Sequence, residues 1–169
     1  LAAAFAAANL FVAQDFFEKS QHIACYLACQ DEFDASPLIE AVWAAKKQCY
    51  VPVIHEEKWL RFIPYEYGTA LKKNQFGILE PAEQDQSILP ADLDVVVLPL
   101  IAFDRYGHRL GTGGGYYDRT FAFLRGEENP QPCLVGLAYA AQETAEIEAD
   151  PWDVPLNFVM TEKNVIAIA

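Results

Sequence analysis

The chain has 169 residues, of which 53% are hydrophobic and 21% charged, and its formal charge is −12. That length suits one domain with a proper core, and the composition is that of a globular protein, not a disordered one. The acidic balance argues against nucleic acid, whose phosphates call for a basic stripe, but leaves room for a small anionic ligand at a locally positive site.

Leu1 to Ala13 is almost wholly apolar, interrupted by Asn9. It is shorter than the ~20 residues a membrane span needs and has no basic flank of the signal-peptide kind. Phe5, Val12 and Phe16 recur near helical spacing, which predicts a helix packed on the domain by those side chains. His22 to Cys29 is apolar enough for a central strand and breaks at the acidic turn Gln30 to Asp34. Asp31 and Glu32 would lie on a loop after a strand, where ligands of open α/β sheets gather, but a solvated acidic turn fits the same residues.

Ser36 followed by Pro37 is an N-cap and first-turn signature, and Leu38, Val42 and Ala45 share a face up to Lys46 and Lys47. Gln48 to Ile54 supplies the next strand, completing a strand, helix, strand unit. Trp59 to Tyr65 suits a strand with both faces partly covered, and the aromatic and glycine-bearing pieces on to Pro81 suggest a small antiparallel addition. Cys25, Cys29, Cys49 and Cys133 form no C-x-x-C pair and have no His at zinc spacing, so buried free thiols in a reducing cytoplasm are expected.

The densest stretch runs from Asp94 to Leu124. Val95 to Leu98 is β-branched and apolar throughout, as a strand buried on both faces would be. Gly111-Thr112-Gly113-Gly114-Gly115 follows, and Tyr117, Phe121 and Leu124 then recur at helical spacing. A strand, a glycine loop and a helix start can converge backbone N–H groups on a phosphate; a tight turn with a close helix approach is the alternative, but a simple turn rarely needs four glycines in five positions. A P-loop is excluded because Tyr116-Tyr117-Asp118 stands where Lys and Ser or Thr belong. The dinucleotide pattern G-x-G-x-x-G is excluded because Tyr116 stands at its last glycine.

Asp118 in a first helical turn suits the helix dipole. Beside a bound polyphosphate it would need an intervening cation, for which Mg²⁺ is the hard, oxygen-liganded choice. Arg109, a fork of donors just ahead of the loop, suits terminal phosphate oxygens. His108 has no evident carboxylate partner and reads as solvated. Past the loop, Pro132 to Tyr139 predicts a strand, Gln142 to Glu148 a helix-compatible acidic piece, and Phe158 to Met160 with Val165 to Ile168 the strands that close the sheet. Strands alternating with helices make an α/β protein with a mainly parallel sheet covered on both faces and right-handed crossovers.

Arg109-Leu110-Gly111-Thr112-Gly113-Gly114-Gly115-Tyr116-Tyr117-Asp118-Arg119, with Leu98 to Asp104 before it and Trp152-Asp153-Val154-Pro155 after it, resembles the 5-formyltetrahydrofolate cyclo-ligase family, also called methenyltetrahydrofolate synthetases. The likeness is dense over the glycine loop and continues in order from about His22 to the end. It implies one cyclo-ligase-like domain over residues 1–169 with a three-layer Rossmann-like fold similar to sugar-phosphate isomerases and CoA transferases. It also implies a basic segment ahead of the first helix that helps hold ATP phosphates. No residue here matches that segment, so the chain is expected to lack it.

The resemblance further implies ATP- and Mg²⁺-dependent cyclisation of 5-formyltetrahydrofolate to 5,10-methenyltetrahydrofolate. ATP would be held by Arg109, Gly111, Thr112, Gly113, Gly114, Gly115, Tyr116 and Tyr117. Leu27 and Glu32, and the segment Gly77 to Pro81, would border the folate, and Asp118 and Asp153 would hold Mg²⁺. Arg109 and Tyr117 are the residues expected to act in catalysis, in a cytoplasmic monomer that engages neither nucleic acid nor membrane. A non-catalytic nucleotide- or folate-binding module and a sugar-phosphate isomerase are the rival readings.

Overall fold

The computed structural model describes residues 1–126 and 131–169. Two helices lead in, α1 (Ala2–Val12) and the single turn α2 (Asp15–Glu18). Then come β1 (His22–Ala24), α3 (Ser36–Ala44), β2 (Gln48–Ile54) and β3 (Leu60–Pro64). A hairpin of β4 (Leu71–Lys73) and β5 (Leu79–Pro81) precedes β6 (Val95–Pro99), and a second of β7 (Ala102–Phe103) and β8 (Arg109–Leu110) follows it. The chain closes with α4 (Tyr116–Thr120), β9 (Cys133–Leu137), β10 (Phe158–Met160) and β11 (Val165–Ala167).

Seven of these strands form one sheet in the order β11-β10-β9-β6-β1-β2-β3. The five inner strands pair in parallel, and β3 and β11 are antiparallel edges. Side chains of a strand alternate between faces, so an all-apolar strand needs cover on both. Val95 and Val97 of β6 pack with Ala7 and Phe11 of α1 and Leu38 and Val42 of α3. Val96 and Leu98 pack on the other face with Phe103, Phe121, Val154 and Leu156. The fold is thus the expected α/β sandwich, but its second outer layer is made of short helical turns and loops.

Local differences from the sequence expectations have identifiable causes. On α1 the buried residues are Ala4, Ala7, Ala8 and Phe11, which lets the backbone approach α3 closely; Phe5 and Val12 are exposed. Strand β1 stops at Ala24, because beyond the Cys25 N–H, which still donates to the Tyr50 carbonyl at 2.8 Å, the chain leaves the ladder. The N-cap of α3 is Ala35, not Ser36, and the Ser36 N–H is met by Asp34 Oδ1 at 2.9 Å. The helix from Tyr116 lasts five residues and gives way to a 3₁₀ turn at Ala122–Leu124, with Phe121 and Leu124 buried as their spacing predicts. The piece 143–148 is not helical, because partners distant in sequence use its backbone: the Thr144 N–H donates to the Phe103 carbonyl at 2.8 Å and the Ile147 N–H to Asp104 Oδ2 at 2.8 Å.

The chain passes from β1 to β2 on one side and returns to β6 on the other. Loops leaving the ends of β1 and β6 therefore diverge, and the crevice between them is where open α/β sheets bind ligands.

Candidate active site

A cavity of about 430 Å³ opens at that crevice. Tyr26, Leu27, Cys29 and Glu32 line it from the loop after β1, and Leu100 and Ile101 from the end of β6. Gly111 to Asp118 enter from the glycine loop and α4, Ile78 to Glu80 from β5 and the turn before it, and Asp150, Trp152 and Asp153 from the segment ahead of β10. The residues expected to bind ATP, folate and metal border one cavity: Leu27, Glu32, Arg109, Gly111, Thr112, Gly113, Gly114, Gly115, Tyr116, Tyr117, Asp118 and Asp153; of the expected segment Gly77 to Pro81, Ile78 to Glu80 line it and Gly77 and Pro81 do not.

The glycine loop takes its shape from two left-handed residues, Gly113 at φ +98° and Gly115 at φ +69°. Among the described residues, the backbone N–H groups of Gly111 to Asp118 donate no hydrogen bond outside α4. A helix of five residues supplies little dipole, so the loop amides carry the anion-binding potential. Arg119 braces this loop: its Nη2 donates to the Gly114 carbonyl, its Nε donates to the Lys58 carbonyl at 2.7 Å, and its guanidinium lies 5.3 Å from the centre of the Tyr116 ring. Thr120 Oγ1 accepts the Leu60 N–H at 2.9 Å, which ties α4 to β3.

Arg109 is largely buried and already partnered. Its Nη2 donates to Asp118 Oδ1 at 2.9 Å and its Nη1 to the Val154 carbonyl at 2.6 Å, while the Val154 N–H donates to the same Asp118 oxygen at 2.9 Å. Three segments distant in sequence are thereby locked together at the cavity wall. Asp153 Oδ2 accepts the Asp150 N–H at 3.0 Å. Each of the two carboxylates keeps one oxygen without a protein partner among the described residues.

Glu32 is held by its own loop, accepting from the Cys29 N–H at 3.3 Å and the Cys29 thiol at 3.4 Å. Tyr26 is buried and donates its hydroxyl to the Phe33 carbonyl at 2.6 Å, fixing the loop that carries Glu32. Burial, then the negative charge of Glu32, pushes the Tyr117 phenol up, with Arg109 pulling the other way. Tyr117 is therefore a neutral hydrogen-bond donor and not a base.

His108 is not a lone solvated side chain, as its sequence neighbourhood implied. Its Nδ1 lies 2.9 Å from Oδ2 of Asp104, which is fully buried. The other Asp104 oxygen accepts the N–H groups of Tyr106 and His108 at 2.9 and 3.0 Å. The Asp104-Arg105-Tyr106-Gly107 order, with Asp first and Gly fourth in a turn, is the signal that could have exposed this. Arg119 left no such signal, because its hydrogen-bond partners are main-chain carbonyls. Among the described residues no group of three or more His, Cys, Asp or Glu is placed to hold a metal by itself.

The model of the 5-formyltetrahydrofolate cyclo-ligase family matches residues 1–162. A 5-formyltetrahydrofolate cyclo-ligase of Haemophilus influenzae is 41% identical over 141 residues, covering 82% of this chain and 74% of the relative. Its Escherichia coli K12 counterpart is 39% identical over 146 residues, covering 85% and 79%. The solution structure of Aquifex aeolicus 5,10-methenyltetrahydrofolate synthetase superposes with a TM-score of 0.80 at 31% identity, over 98% of this chain and 80% of that one.

Proposed function

The chain belongs to the 5-formyltetrahydrofolate cyclo-ligase family, and from that premise we propose that it cyclises 5-formyltetrahydrofolate to 5,10-methenyltetrahydrofolate at the expense of ATP, releasing ADP and phosphate. The observation that carries this reading is one cavity whose wall holds both the unpartnered amides of the glycine loop and the loop-held Glu32 carboxylate.

The chemical difficulty is that an amide oxygen is a poor leaving group. Transfer of the γ-phosphoryl group to the formyl oxygen turns that oxygen into part of a phosphate ester. N10 of the same folate then attacks the formyl carbon and loses its proton, and phosphate departs with the C–O bond. Little covalent work falls to side chains, so positioning and charge neutralisation carry the rate.

The loop amides would cradle the phosphates, with Arg109 set beside them by Asp118 and Val154. Leu27 and Glu32 would fix the pterin, Glu32 accepting from ring N–H donors, and Tyr117 would donate to an oxygen at the reacting centre. The unengaged oxygens of Asp118 and Asp153 suit Mg²⁺, which is commonly held by one or two carboxylates with phosphates and water completing its shell. When bound, that ion would neutralise charge on the transferred phosphoryl group. No helix among the described residues is long and apolar enough to cross a membrane. Four free thiols suit a reducing cytoplasm.

Melting temperatures with ATP-Mg²⁺, with 5-formyltetrahydrofolate, with both and with neither test the reading, since a ligand stabilises only a native state that binds it. Both ligands should raise the midpoint, and together they should yield methenyltetrahydrofolate. An unchanged midpoint with ATP points to an isomerase-like site, and stabilisation by ligands without product to a binding module.

A further inference from the structure

Gly114 and Gly115 share a trans peptide, so the Gly114 carbonyl and the Gly115 N–H point in opposite directions across its plane. Glycine on both sides makes flipping this plane cheap, and a flip would swap a donor for an acceptor at the loop surface. Arg119 holds the carbonyl through Nη2, which turns the Gly115 N–H away from the guanidinium. The same guanidinium is anchored to the Lys58 carbonyl at 2.7 Å in the β2–β3 turn and lies 5.3 Å from the centre of the Tyr116 ring. Its grip on the loop is therefore referenced to the edge of the sheet as well as to α4.

We propose that Arg119 is a positioning residue that locks the Gly114–Gly115 peptide in the orientation presenting its N–H to a phosphate of the nucleotide. The proposal rests on the reading of the glycine loop as the phosphate cradle. Two fixed carbonyls and a ring face match a planar fork of donors, and an ammonium can satisfy only part of that set. The role assigned to the residue is the grip of its Nε and Nη2 on main-chain oxygens, not a phosphate contact of its own.

The test compares the wild type with Arg119→Ala and Arg119→Lys in steady-state kinetics, with ATP and 5-formyltetrahydrofolate varied in turn. Loss of one well-made hydrogen bond to an anion corresponds to about a tenfold change in affinity, so Arg119→Ala should raise the KM for ATP by about that factor. The KM for 5-formyltetrahydrofolate should stay unchanged, and added methylguanidinium should recover part of the loss. Arg119→Lys should remain close to Arg119→Ala despite keeping the charge. A Lys variant equal to wild type shows that charge alone suffices and overturns the proposal, as does an Ala variant with an unchanged KM for ATP. A general loosening of the fold would raise both KM values together and would overturn it as well. Failure of the wild type to bind ATP would instead defeat the functional reading, a result visible before any variant is made.

Discussion

Asp104 and His108 are joined at 2.9 Å across the turn that delivers Arg109 to the cavity, and the Asp104 carboxylate is the buried hub of that turn. Burial acts to raise this carboxyl, but hydrogen bonds from the Ile147 and His108 N–H groups, the His108 ring and the Tyr106 N–H outweigh it and hold it below the usual carboxylate range. A folded-state pKa below the unfolded value of about 3.9 gives stability that is complete above about pH 4 and is lost as pH falls through the lowered value. Asp104→Asn replaces one acceptor oxygen by a donor facing other donors. It should cost about 2–3 kcal/mol at neutral pH and flatten the stability profile below about pH 4. Denaturant titration across that range checks both, and an Asn variant with the wild-type acid limb would remove Asp104 from this role.

Gly107 sits in the same turn at φ +88°, and a Cβ there would lie 2.9 Å from the Leu156 carbonyl oxygen and 3.1 Å from Ile168 Cγ2. The space is closed by main chain that also donates to this turn, since the Leu156 N–H donates to the Gly107 carbonyl at 2.9 Å. Gly107→Ala should therefore cost about 1–3 kcal/mol through backbone strain and crowding. Thermal unfolding measures it, and a midpoint within a degree of wild type would show that the turn relaxes freely.

The buried strand Val95 to Leu98 and the strand Gln48 to Ile54 were legible because unbroken apolar or β-branched runs have few other uses. The glycine loop was legible by composition. What stayed hidden depends on contacts distant in sequence. Nothing local says that 143–148 spends its amides on Phe103 and Asp104 instead of on a helix. The early end of β1 has the same origin, since Tyr26 to Cys29 read as strand but run along the cavity wall. The buried face of α1 is hidden for a related reason: side-chain size alone points to Phe5 and Val12, whereas close packing on α3 favours Ala4, Ala7 and Ala8.

Glu32 presents an acceptor-only group held by the Cys29 N–H and thiol. A pterin offers a ring N–H and an amino group on one edge, which a carboxylate can meet with both oxygens. Glu32→Gln turns one acceptor into a donor and should raise the KM for 5-formyltetrahydrofolate by about tenfold to a hundredfold. The KM for ATP should hold steady. Equal changes in both constants would mean that the substitution disturbs the loop and not a folate contact.

On the proposed reading Asp118 and Asp153 would share an ion, and the structure changes what their substitution should show. Asp118 is not a free acid: its Oδ1 holds Arg109 and the Val154 N–H, so Asp118→Asn weakens that lock whether or not a metal binds. Breaking one partly buried ion pair of this kind should cost on the order of 1–3 kcal/mol of stability. Among the described residues Asp153 supports only a local turn through the Asp150 N–H, so Asp153→Asn should leave stability nearly intact and makes the cleaner probe. If the two share Mg²⁺ with the nucleotide, Asp153→Asn should lower activity at limiting Mg²⁺ and recover in part when the ion is raised. The double variant should then fall short of the product of the single losses, since the second substitution removes a ligand from a site already damaged. The measurement is kcat/KM for ATP across a Mg²⁺ titration for the wild type, both single variants and the double variant. Strictly multiplicative losses with an unaltered Mg²⁺ midpoint would separate the two residues and leave Asp118 as the partner of Arg109 and the Val154 N–H.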